Sequence, residues 1–116
     1  MEQLINIDRF ADEIHHTAVT KGFWQPMERM EEQDRFIFYC KQIAMIHSEA
    51  TEVLEALRKN KGEVAVVEEL ADIIIRVLDL YSGMYLEEDV ATSLHDTLLV
   101  KTNINKDRPM LHGTRG

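Results

Sequence analysis

Residues that interrupt helices are scarce in this chain. Two prolines and five glycines among 116 residues, with 45% hydrophobic content, argue for a globular, mainly helical protein of single-domain length. A lone cysteine, Cys40, rules out an internal disulfide. No uninterrupted apolar run approaches the roughly 20 residues a helix needs to cross a bilayer, so no membrane partner is expected. The first ten residues, MEQLINIDRF, have neither the basic n-region nor the apolar core of a signal peptide, and the cytoplasm is the expected location. Basic side chains are in deficit: 13 against 21 acidic ones give a formal charge of -8, which disfavours a nucleic-acid polymer or an anionic membrane surface. A small anion stays admissible if a metal carries it.

What is present is apolar periodicity. In NIDRFADEIHHTAV, Ile7, Phe10, Ala11, Ile14 and Ala18 recur at helical spacing behind a candidate cap at Asn6 or Asp8, and TKGFWQP ends that helix. A polar segment, MERMEEQD, leads into a longer helix expected from about Glu32 to Asn60. Its first half, RFIFYCKQIAMI, is apolar on more than one face, which implies burial on two sides, within a bundle or against another subunit. Phe36, Phe38 and Tyr39 fit core or subunit interface, and Cys40 fits a buried small side chain. A third helix is expected from Glu63 to about Met84. Its row Val66, Leu70, Ile73, Val77 outweighs the strand-like DIII, and Ser82-Gly83 is the first breaker. A fourth, roughly Glu87 to Thr102, opens with the acidic turn EEDV and shows Val90, Leu94, Leu98 spacing. The core thus spans about residues 7–102, followed by an extended tail over 103–116, NINKDRPMLHGTRG, which has no apolar period.

The second and third helices each carry an acid pair three residues apart, Glu49/Glu52 and Glu69/Asp72, on one helix face. Each pair borders an apolar row: Ile46, Ala50, Val53, Leu57 in one helix and Val66, Leu70, Ile73 in the other. Facing residues of an antiparallel hairpin share a constant index sum. Glu49 with Asp72 gives 121, and so does Glu52 with Glu69, which centres the hairpin at Asn60-Lys61, where RKNKGE supplies a glycine stop. Four converging carboxylates in a partly apolar setting must take up protons or hold cations. Oxygen ligands select hard ions, Mg²⁺ first with Mn²⁺ as substitute, and Mg²⁺ readily accepts phosphate oxygens. Acid pairs at the same spacing also occur at Glu28/Glu31, Glu31/Asp34 and Glu52/Glu55, so spacing alone leaves a solvated face open. A carboxylate-bridged di-iron bundle needs a Glu-x-x-His on each of two helices; only Glu13 to His16 supplies one.

These features resemble the MazG-like, all-alpha nucleoside triphosphate pyrophosphohydrolases, whose signature is an E-x-x-E helix followed by an E-x-x-D helix. EATE at 49–52 and ELAD at 69–72 match it. Downstream, KTNINKDR matches the family's K-x3-N-x2-R block with Lys101, Asn105 and Arg108, followed by PMLHG with His112. Upstream, His15 and Trp24 have the nine-residue spacing of a pair that lies beside the base in relatives specific for deoxynucleotides. The likeness covers about residues 10–113. Ser48 stands where relatives often have glycine, and the short loop between motifs is similar to compact single-module members.

The resemblance implies a four-helix-bundle-like, MazG-type oligomer, a homodimer or a dimer of dimers (tetramer), with its active site on the antiparallel helix pair. It implies Mg²⁺-dependent hydrolysis of a nucleoside triphosphate, a deoxynucleotide by preference, to the monophosphate and pyrophosphate. Glu49, Glu52, Glu69 and Asp72 would form the metal shell, with Glu49 or Glu52 also the catalytic base. Lys101, Asn105 and Arg108 would bind phosphate, and His15 and Trp24 the base. On its residues alone His15 also suits a satisfied core position, Trp24 a core plug, and the basic tail a solvated one. A phosphoribosyl-ATP pyrophosphohydrolase and a non-enzymatic helical interaction module are the alternatives.

Overall fold

The computed structural model describes residues 5–109. Its elements are α1 (Ile7–Thr20), a 3-10 turn (Met27–Arg29), α2 (Glu32–Arg58), α3 (Glu63–Glu87) and α4 (Leu94–Lys106). The protein is all-α with four helices and no strand among the described residues, as its periodicity requires. Helix α3 is the shared element: α1 and α2 both pack along it, while α4 leans on α1.

Local chemistry explains the helix ends. The Asn6 side chain caps α1 by accepting from the Arg9 N–H at 3.0 Å. Past the other end, Gly22 takes φ +86°, letting Phe23 N–H reach back to Ala18 O and Gly22 N–H to Val19 O, both at 3.0 Å. Helix α2 ends in the same way, but there the left-handed residue is Asn60 (φ +52°), with Lys61 N–H donating to Ala56 O at 3.0 Å. The expected glycine stop is therefore an asparagine stop. Gly62, at φ +99°, instead opens α3 as its N-cap. The connection over 59–62 is centred between Asn60 and Lys61, the centre that the acid pairs demanded.

Three boundaries differ from expectation. Helix α3 runs through Ser82-Gly83 to Glu87 because Gly83 serves packing: a Cβ there would lie 2.2 Å from the Trp24 ring. The acidic EEDV stretch then closes α3 instead of opening α4, with Glu88 N–H donating to Met84 O at 2.8 Å and Asp89 at φ +55°. Helix α4 starts at Leu94, capped by Ser93, whose hydroxyl oxygen accepts from Asp96 N–H at 3.0 Å. A polar clasp fixes that start against α1 and α3. Asp8 accepts from the Ser93 hydroxyl and from His95 N–H, the Ile7 N–H donates to His95 Nδ1 at 3.0 Å, and the Tyr81 hydroxyl donates to Thr92 O at 2.7 Å. Helix α4 continues to Lys106, so residues 103–106 are not extended tail. Residues 110–116, including His112, lie outside the described residues.

The core is small. Trp24, Met27 and Phe38 are buried together, flanked by Ala18, Met30 and Tyr39, and Ala11, Ala56 and Leu78 are the other buried apolar residues. Beside this core, Glu88 ties α3 to α2 by accepting from Arg35 Nε and the Tyr39 hydroxyl, each at 2.8 Å. The Tyr39 hydrogen bond, and then Arg35, hold the Glu88 carboxyl below its usual range against some desolvation. Elsewhere the helices leave apolar surface uncovered: Leu54, Leu57 and Ile74 are more than half exposed, and α4 buries no residue. Phe36 is exposed although Phe38 is buried. Cys40 is exposed rather than buried, because it lies on the outer side of α2, which no helix of its own chain covers. The radius of gyration is 16.6 Å, against about 13 Å for a compact domain of this length.

Candidate functional site

The hairpin register decides which residues meet. Along α2, Met45, Glu49 and Val53 are half-buried and Ala56 is buried. Opposite them, Ala65, Glu69, Ile73 and Arg76 of α3 are half-buried. Glu49 and Glu69 thus lie within the α2–α3 seam, whereas Glu52 and Asp72 are exposed at its border. Ala50, Leu57, Leu70 and Val77, expected in the buried rows, face outward and are exposed.

Carboxylate oxygens of Glu49, Glu52 and Glu69 lie within 4.8 Å of one another. Asp72 is exposed and outside this trio, yet its charge still acts on Glu69. The Glu69 carboxyl is pushed above its usual value, first by desolvation, then by the charge and hydrogen bond of Glu52, then by Asp72 and Glu49. A hydrogen bond between two carboxyl groups requires a proton on one of them, so the cluster answers its own repulsion by raising proton affinity. Beside it opens a groove of about 360 Å³ at the hairpin end, lined by Glu52, Glu55, Ala56, Lys61, Ala65, Glu68 and Glu69.

One cation relieves the crowding. Arg76 Nε donates to Glu49 Oε1 at 3.2 Å, and its Nη1 lies 3.9 Å from Met45 Sδ. Glu49 is the less exposed partner, its side chain 13% exposed against 33% for Arg76. The sequence reading missed Arg76, although Met45 and Arg76 share the index sum of 121 and Arg76 follows Asp72 by one helical turn.

Lys101 and Asn105 are exposed on the C-terminal half of α4, and Arg108 is exposed just past it. The trio of carboxylates comes from α2 and α3 alone, and α4 packs mainly on α1. Lys101 and Asn105 are not among the residues that line the groove beside the carboxylates.

His15 and Trp24 do come together, with ring centroids 4.6 Å apart and nearly perpendicular planes. Both are buried and share one acceptor. His15 Nδ1 donates to Asp79 Oδ1 at 2.8 Å, and the Trp24 indole N–H is shared between both Asp79 oxygens at 3.0 Å. Because a carboxylate only accepts, the His15 proton sits on Nδ1. Phe38 covers the indole from the other side at 5.0 Å between centroids, and Gly83 admits its edge. As placed, both rings serve the core, and a base could reach them only if this knot opened. Asp79 was not singled out from the sequence, and Gly83 was read only as a breaker; the signal for Asp79 was an acid one turn beyond Arg76 in the largely apolar stretch from Ile73 to Leu80.

The donor set suits a hard divalent cation. It holds only carboxylate oxygens, it is half-open to solvent, and its raised proton affinity marks charge that a cation would neutralise. No family model, curated protein or solved structure matches the chain.

Proposed function

We propose that this protein is a Mg²⁺-dependent nucleoside triphosphate pyrophosphohydrolase that clears surplus or non-standard nucleotides, deoxynucleotides by preference, from the cytoplasm. The observation that supports it most is the convergence of Glu49, Glu52 and Glu69 at the level set by the index sum, on a pair of antiparallel helices. Glu49, Glu52 and Glu69 would hold the metal, with Asp72 adding its charge beside Glu69. When bound, Mg²⁺, or Mn²⁺ in its place, polarises phosphate oxygens and lowers the pKa of water at the site. Glu52 or Glu49 accepts the proton as water attacks the phosphorus. Arg76 holds Glu49 in orientation, and Lys101, Asn105 and Arg108 supply phosphate donors from the exposed end of α4. In this reading the His15–Trp24 knot positions the wall of the base pocket. The uncovered apolar surface supports self-association as a homodimer or a dimer of dimers.

Pyrophosphate release from a panel of ribo- and deoxyribonucleoside triphosphates with Mg²⁺ tests this. Release that disappears in Glu52→Gln is the expected result. Activity on phosphoribosyl-ATP alone would instead select the phosphoribosyl-ATP pyrophosphohydrolase. Inertness on every substrate with no metal uptake would select a helical interaction module.

A further inference from the structure

Arg76 stands against the carboxylate cluster with more donors than the fold uses. Its Nε donates to Glu49 Oε1 at 3.2 Å, and among the described residues Glu49 is its only oxygen partner. Nη1 faces the Met45 thioether at 3.9 Å, a weak acceptor. The rest of the guanidinium, a planar fork matched to carboxylate or phosphate oxygens, is open to solvent, and the side chain is 33% exposed.

Along α3, Glu69, Asp72 and Arg76 follow at spacings of three and four on one face, so Arg76 lies one turn beyond the acids, away from the hairpin turn. On the opposite side of the acids, the groove at the hairpin end is lined by Glu52, Glu55, Glu68 and Glu69, with Lys61 on the connecting turn. A phosphate group approaching from that side meets charge of its own sign. Arg76 is the guanidinium already in contact with the cluster.

A divalent cation and Arg76 compete for the same carboxylate. With Glu49 serving as a metal ligand, the guanidinium would stand beside a second positive charge with its best acceptor drawn away. An anion relieves both conditions. The Met45 side chain next to it is unbranched and adaptable, so the guanidinium can turn without opening the core.

We propose that Arg76 is a phosphate-binding residue of this site: it pairs with Glu49 before a divalent cation binds, and turns to a phosphate oxygen of the substrate once Glu49 serves as ligand. This rests on the metal-dependent reading above and gives Arg76 a task beyond holding Glu49. Cation and phosphate then reinforce each other's binding, since each removes a competitor of the other.

Calorimetry separates the two tasks, with Mn²⁺ titrated into metal-free protein and inorganic pyrophosphate titrated in at saturating Mg²⁺. Arg76→Met keeps an apolar stem and removes the charge. It should take up Mn²⁺ at least as tightly as wild type and bind pyrophosphate about 10- to 100-fold more weakly, the range for hydrogen bonds to charged groups. Arg76→Lys keeps the charge without the fork. It should fall between the two on pyrophosphate, and it carries the test if the methionine variant does not fold. Mn²⁺ uptake weakened tenfold or more in both variants would reduce Arg76 to a prop for Glu49 and overturn the proposal. Unchanged pyrophosphate affinity in both would overturn it as well. Wild type that takes up Mn²⁺ but no pyrophosphate would overturn it while the metal site stands, whereas wild type that takes up no Mn²⁺ would overturn the metal-dependent reading and this proposal together.

Discussion

Two clusters of polar groups are built into α3, one at each end, and they are satisfied to different degrees. Near its C-terminal half, Asp79 receives donors from His15 and Trp24, Gly83 makes room for the indole, and Phe38 closes the other side. Every buried polar group there has a partner. Near its N-terminal half, Glu69 meets Glu52, Glu49 and the charge of Asp72, with Arg76 bonded to Glu49. The first cluster is complete within the fold, whereas the second is short of positive charge. A polar group whose needs are met by the fold is explained by the fold; one whose needs are unmet points outward, here to a cation.

Substitutions can break that contrast. The largest expected effect on stability is Trp24→Ala, which empties the knot and strips one donor from Asp79. Losses of about 3–5 kcal/mol are typical for a buried aromatic, read as a lower midpoint in chemical unfolding, and the cation response of whatever remains folded should be unchanged. Full stability in this variant would mean that the knot is not the core. Glu52→Gln should act in the opposite sense, lowering pyrophosphate release by about 100-fold or more with the unfolding midpoint held or raised. Retained turnover would remove Glu52 from the chemistry. Gly83→Ala should destabilise by about 1–3 kcal/mol through overpacking against Trp24, partly offset by the better helix propensity of alanine. A neutral result would show that the indole can shift.

The smallest effect sharpens the comparison most. Glu69 has its carboxyl pKa raised in the folded protein by burial and by its acidic neighbours. A raised acid binds its proton more tightly when folded, so its contribution is present below the ordinary carboxyl range and is lost as pH rises through the folded value. The Glu69 contribution should therefore be lost as pH climbs from acid toward neutral and be restored by Mg²⁺, while Glu88, held below the usual range, contributes in the opposite sense. Glu69→Gln should remove the Glu69 part of that pH dependence. A pH profile unchanged by the substitution would mean that the acids do not strain one another.

The level at which the acids meet was legible in the sequence because two long helices joined by a tight turn leave one free parameter, the index sum, and two acid pairs fix it together. The start of α4 was not. The EEDV stretch has the acidic composition of a helix N-terminus, but Ser93 followed by Asp96 holds the actual cap, and Asp8 on another helix secures it. Gly83 read as a stop because its reason for being small, the Trp24 ring, comes from a distant part of the chain. The apolar rows through Ala50 and Leu57, and through Leu70 and Val77, show the deeper limit. Periodicity says which residues share a face, whereas only the neighbours say which face they cover.

Calorimetric titration of Mn²⁺ into the metal-free protein near neutral pH tests the central claim most directly. Saturable binding is expected in wild type and should be lost in Glu49→Gln and in Glu52→Gln. Absence of binding in wild type, or binding that both substitutions leave intact, would contradict it.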